Sequence, residues 1–222
     1  SMTKPRISET DHGIQDDATV DYYDVMQRKM RDDGHLYTPL IIGAGIMHGN
    51  ALEIGPGPGY LGLEWLKATR NTKLTGIEIS EAMIRMARRN AAEYGYLDRV
   101  AYIPGTALDL PFPDGSFDAV FSNASLHEWE DPVRVFNEIC RVLMVGGRYC
   151  ITDLRRDMNL LVFWYLKRCV EKQEYLPGLI SAHNASYTVK EIPDILSRSA
   201  LAGAVVTKNP FSIIIAGQKQ TG

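Results

Sequence analysis

The chain has 222 residues, 45% hydrophobic and 23% charged, which is enough for one core of two or three layers. Its formal net charge of -3 supplies no field to recruit nucleic acid or anionic lipid, and no apolar run reaches the ~20 residues that cross a bilayer. Cys140, Cys150 and Cys169 are few, odd in number and widely spaced. Neither a disulfide framework nor a metal-binding spacing follows, and a reducing, cytoplasmic compartment is expected.

Residues 1–18 carry few apolar side chains and read as a mobile tail before a single domain, 19–222. VDYYDVMQRKM, residues 20–30, reads as a helix outside the regular pattern that follows. That pattern alternates strands and helices. Residues 50–54 form a buried strand, 60–69 a helix and 73–79 a second strand. Ser80 is placed to cap a helix that runs to Tyr94 and stops at Gly95. Residues 99–103 and 119–122 read as strands, and 132–143 as a helix with Pro132 at its first position and Asp131 as its cap. Gly146-Gly147 turns into a fifth strand, 148–153. Residues 189–202 read as helix, then two strands surround a Lys208-Asn209-Pro210 turn. The spacing predicts an α/β fold with a mostly parallel sheet, helices on both faces and an antiparallel hairpin at one edge. Residues 155–187 break the alternation and read as an inserted cap: a helix in MNLLVFWYLKRCVEKQ, then a Pro177-Gly178 loop. The stripe Leu160, Leu161, Phe163, Trp164 and Leu166 reads as core rather than pocket.

The chemistry concentrates in ALEIGPGPGYLG, residues 51–62. In an open parallel sheet, ligands bind beyond the carboxyl ends of the strands where strand order reverses, and a glycine-rich turn there admits a ligand close to backbone. The spacing G-x-G-x-G differs from the dinucleotide G-x-G-x-x-G, and Pro56 and Pro58 remove two N–H donors from any phosphate cradle. Glu53 at the strand tip would repel a pyrophosphate and attract an ammonium or sulfonium. Glu78 ends the next strand, where a carboxylate accepts both hydroxyls of a ribose. That feature fits a dinucleotide as well as any other adenosine ligand.

LEIGPGPGYLG, IEIS, GTALDLPFPDGSFDAVFSNASLHEW and VLMVGGRYCITD, in this order over about residues 50–153, resemble the class I methyltransferases that use S-adenosylmethionine. The nearest flavour is the small-molecule group that includes the quinone-biosynthesis enzymes. The resemblance implies a Rossmann-like sheet of seven strands with the last antiparallel, S-adenosylmethionine as methyl donor and S-adenosylhomocysteine as product. It implies that Glu53, Gly55 and Gly57 hold the methionine part, Glu78 the ribose, Ile79 and the Thr106–Ala107 step the adenine, and that Asn123 lies beneath the sulfonium. Thr106 stands where the family often has an aspartate. Tyr23 either reaches the cofactor carboxylate or packs.

Methyl transfer from a sulfonium is an in-line displacement needing a base only when the nucleophile must lose a proton. His127 is the candidate to orient or deprotonate an acceptor, against a plain role bonded to backbone. Arg155, His183, Asn184 and Tyr187 are candidate acceptor contacts, with His183 and Asn184 placed in a polar loop. The expected partner is a small molecule, with no nucleic acid, membrane or resident metal; monomer and homodimer stay open. A non-catalytic sensor of the same cofactor is the alternative.

Overall fold

The computed structural model describes residues 3–9 and 13–221. Seven strands, β1 (Asn50–Ile54), β2 (Lys73–Glu78), β3 (Val100–Pro104), β4 (Phe117–Asn123), β5 (Leu143–Leu154), β6 (Val205–Lys208) and β7 (Ser212–Gln218), form one sheet. The order is β3-β2-β1-β4-β5-β7-β6. β1 to β5 are parallel, and β7 runs antiparallel to both β5 and β6. The alternation implied the mostly parallel sheet with an antiparallel hairpin at its edge, and the resemblance implied the seven strands. The strand order reverses at β1 and β4, so the crevice at their carboxyl ends is the natural ligand position.

Alternation along β1 sends its side chains to two cores. Leu52 and Ile54 face α5 (Pro132–Val142) and α8 (Ile192–Ser197), packing with Val120, Phe136, Ile139 and Ile192. Ala51 faces α2 (Thr38–Gly43), α3 (Tyr60–Ala68) and α4 (Glu81–Tyr94), among Trp65, Leu66, Ile84 and Phe121. Each such side chain contributes roughly 1.5–3 kcal/mol relative to exposure, so the strand tips are held by a stiff frame. The caps fall where expected: Ser80 accepts from Met83 N, Asp131 from Arg134 N, and Gly95 ends α4 at φ 75°.

α1 (Asp17–Asp32) is anchored by Asp24, which is 5% exposed. Its Oδ1 accepts from the Tyr60 hydroxyl at 2.7 Å and from Asn90 Nδ2 at 2.8 Å. The same Asn90 amide donates to Pro58 O at 2.8 Å. One buried polar knot therefore ties α1, α4 and the glycine-rich turn together.

Four elements depart from the expectation. β5 starts at Leu143, not after the glycine pair, because Leu143 pairs with Phe117 and an irregularity then shifts the register. The helix expected over residues 189–202 is only α8, with Pro193 in its first turn and hydrogen-bonded turns on either side. The cap's first helix, α6 (Leu160–Cys169), ends well before Gln173. The expected Pro177-Gly178 loop is instead the start of α7 (Leu176–Ala185), where proline needs no N–H partner. Nor is the α6 stripe core. α6 buries no residue, and Leu160, Leu161 and Trp164 are exposed.

Candidate active site

Gly55, Gly57 and Gly59 have φ of 69°, 54° and 95°, a region side chains avoid, so the turn requires glycine at all three. Every glycine amide in it is already committed. Gly55 N donates to Ile77 O at 2.9 Å, Gly57 N to Glu78 Oε1 at 3.1 Å and Gly59 N to Pro56 O at 2.9 Å. With Pro56 and Pro58 lacking N–H, the turn offers no spare donors to a phosphate. Across the crevice, Ala124 at φ 62° turns the chain sharply after β4 and swings Ser125 inward. A Cβ on Gly55 would collide with Ser125 Oγ, so the β1 and β4 tips touch here. Ser125 carries no motif of its own in the sequence, and its place follows from the strained turn before it.

Glu78 occupies the mouth of this turn. Its carboxylate accepts from Gly57 N at 3.1 Å and from Ser80 N at 3.0 Å. Ile79 beside it is 37% exposed, an apolar rim to the crevice. Residues 13–15 reach over this rim: Gly13 lies against Ile79, and the Ser80 hydroxyl donates to Ile14 O.

Glu53 does not present the negative charge expected of it. It is 2% exposed, lies under the first turn of α3 against Gly62, and its Oε1 has no hydrogen-bond partner. Burial, with a smaller push from the charge of Glu78, raises its pKa to about 8. Near neutral pH the group is largely protonated, so the charge at the crevice is carried by Glu78.

The remaining cofactor candidates lie along the same edge. Thr106 is exposed, and its hydroxyl accepts from Leu108 N at 3.2 Å, closing a turn after β3. Ala107 packs on the core cluster beneath the sheet edge. Asn123 ends β4 and accepts from the Thr152 hydroxyl at 2.8 Å. Tyr23 packs with Val20, Ala82, Met83 and Met86 on the α1–α4 seam. Its hydroxyl is pushed upward in pKa by burial first and then by Glu128.

His127 lies on a short 3-10 turn (Leu126–Glu128) after β4 and is 5% exposed. Its Nδ1 meets both oxygens of buried Asp153 at 3.0 and 2.9 Å, and its backbone N–H donates to the same carboxylate at 2.6 Å. Its Nε2 faces Glu9 Oε2 at 3.4 Å and Glu128 Oε1 at 3.6 Å. Burial alone would lower its pKa, but the charge and hydrogen bond of Asp153, with Glu9 and Glu128, push it up to about 11. An imidazolium held this firmly does not serve as a general base near neutral pH. The sequence spacing gave no sign of Glu9, which arrives from the far end of the chain. Asp153 at the end of β5 was visible only as a strand-end acid.

The acceptor candidates are largely engaged elsewhere. Arg155 pairs with Asp157 at 2.9 Å and donates to Asn209 O at 3.1 Å, clamping β5 to the terminal hairpin. Tyr187 is 8% exposed within the core, with the Arg6 guanidinium 4.3 Å from its ring centre. Arg6 also donates to Ala185 O and His127 O, and Asn184 O accepts from Ile7 N at 2.9 Å, so residues 3–9 lie across this end of the sheet. His183 sits in the last turn of α7, not in a loop, stacked on Phe163 at 3.8 Å. Burial lowers its pKa. An open depression of about 530 Å³ lined by Arg31, Asp32, Glu64, Lys67, Glu93 and Tyr94 lies away from the strand tips. Its charged lining marks a solvated junction between helices, not a nucleoside site.

Residues 52–151 match the family model of the methyltransferase domain. A demethylmenaquinone methyltransferase of Symbiobacterium thermophilum is 36% identical over 112 residues, covering 50% of this chain and 45% of that protein. Across the curated relatives it resembles, the chain spans about half of their length: 62%, 45% and 37%. A crystal structure described as an S-adenosylmethionine-dependent methyltransferase of Methanococcus maripaludis superposes with TM-score 0.75 at 22% identity, over 97% of this chain and 98% of that one. Geranyl diphosphate C-methyltransferase of Streptomyces coelicolor, solved with Mg2+, geranyl diphosphate and S-adenosylhomocysteine, superposes with TM-score 0.62 at 18% identity, covering 82% and 78% of the two chains. Residues 52–151 thus resemble a methyltransferase domain, and the seven-stranded sheet shares its fold with solved methyltransferases.

Proposed function

We propose that the protein transfers a methyl group from S-adenosylmethionine to a small-molecule acceptor. One observation carries the choice of ligand: a turn whose three glycine amides are spent and whose prolines have none, with the Glu78 carboxylate at its mouth. Such a turn offers a diphosphate no donors and suits a cationic nucleoside. Glu78 would hold the ribose hydroxyls while keeping its bond from Gly57 N, since each carboxylate oxygen accepts more than one hydrogen bond. Ile79 would pack on the adenine, with Thr106 and Ala107 along its edge. Gly55, Gly57 and Asn123 would line the amino-acid end. Glu53 supports the turn from below rather than touching the ligand.

The bound donor supplies a methyl group already activated on a cationic sulfur. The chain's part is to hold the acceptor in line and to keep water out. Residues 3–9 and 13–15, lying across the strand tips and the Ile79 rim, are suited to the second task. The first falls to the surface between Tyr23, Glu128 and α7. We place the reaction in the cytoplasm: Cys140, Cys150 and Cys169 are unpaired, and no described helix is long and apolar enough to cross a membrane.

Purified protein incubated with methyl-tritiated S-adenosylmethionine and a cell extract stripped of macromolecules is expected to move label into an extractable small molecule. Label that stays in the donor across extracts, while S-adenosylhomocysteine binds, would contradict transfer and leave only binding. Separately, Glu78→Ala is expected to weaken S-adenosylhomocysteine binding by about 1–3 kcal/mol.

A further inference from the structure

Among the described residues, Glu9, His127 and Glu128 bring one ligand atom each to within 4.8 Å of one another. The two separations from His127 Nε2, 3.4 and 3.6 Å, are those expected between ligands of a metal held at roughly 2.0–2.2 Å in a tetrahedral shell. Asp153 grips the opposite ring nitrogen at 2.9 and 3.0 Å, which fixes the ring and aims Nε2 at the two carboxylates. A carboxylate behind a ligating histidine is the usual outer shell of such a centre. Asp153 is 2% exposed and also holds the backbone N–H of His127, so the ring orientation is built into the β4 and β5 tips.

Formal charges point the same way. Glu9, Glu128 and Asp153 bring three negative charges, and Arg6, bound to His127 O, brings one positive charge. A proton shared at His127 leaves a net charge of about -1, whereas a divalent ion on neutral imidazole brings the group to about zero. We propose that Glu9, His127 and Glu128 bind one divalent cation of the zinc class, with a fourth position left to water or to an oxygen of the acceptor. Glu9 belongs to the segment laid across the strand tips, so the ion also fastens residues 3–9 to the domain.

The test uses ZnCl2 alone with the full chain, by titration calorimetry on wild type, Glu9→Gln and Glu128→Gln. Both variants alter partly exposed side chains, and circular dichroism verifies that they fold. The expected result is one saturable site per chain in wild type and affinity reduced at least tenfold in each variant. Zinc should also slow proteolysis within residues 3–9 in wild type but not in Glu9→Gln. Absence of a one-to-one site in wild type, or a loss under tenfold in either variant, overturns the proposal. None of these readings depends on methyl transfer, so this proposal and the proposed function can fail separately.

Discussion

Glu53 shows how a side chain can keep its place in a motif while changing its work. A carboxyl at the tip of a strand, read from the sequence, is a negative charge facing the ligand. In the folded chain it is turned under α3, where Gly62 makes room for it because any Cβ would strike its Oε1. Its pKa, raised from 4.5 to about 8 by burial first and then by Glu78, links it to stability. The folded state holds this proton more tightly than the unfolded chain. The stabilisation is thus complete below pH 4.5 and is lost as pH rises towards and through 8. Within that window the slope reaches at most about 1.4 kcal/mol per pH unit. Urea unfolding of wild type and Glu53→Gln across pH 5 to 9 should show this decline in wild type and its absence in the variant. Parallel pH profiles would show that the carboxyl is ionised and solvated in the fold. Nothing in the residue letters distinguishes the two orientations of Glu53; Gly62 in the first turn of α3 is the nearest signal.

At the scale of elements, what was legible followed local rules. β1 is bounded as expected because Gly49 and Gly55 frame a short run, and α4 because Ser80 is a strong start signal and Gly95 a strong stop signal. The cap was misread because its pattern is not local. The apolar stripe of α6 suggested a buried face, yet among the described residues Leu160, Leu161 and Trp164 remain exposed. Pro177-Gly178 reads as a loop in the sequence, whereas proline in the first turn begins a helix here. The knot between α1, α4 and the glycine-rich turn was likewise invisible, since Asp24, Pro58 and Asn90 are far apart in the chain. It yields a clear expectation. Asn90→Ala removes the donor shared by Asp24 and Pro58 O, leaving two buried acceptors short of a partner, at a cost of about 1–3 kcal/mol. Thermal unfolding should register this as a lower midpoint. An unchanged midpoint would show that the turn is held by its glycines and the sheet alone.

Over the whole molecule, the sheet order places two independent tips, β1 and β4, in contact at the reversal point, and the site follows from that topology. The order of motifs along the chain was enough to anticipate the sheet and the match to a methyltransferase domain. It was not enough to anticipate the cluster around His127, which is assembled from the ends of β4 and β5 and from residues 3–9, segments with no common spacing. The choice of cofactor rests on one physical property, the shortage of free amides beside a carboxylate. Calorimetry of the purified chain with S-adenosylhomocysteine and, in parallel, NAD+ tests it most directly. Saturable one-to-one binding of the first and no detectable heat from the second is the predicted result; tight binding of NAD+ with S-adenosylhomocysteine inert would contradict it.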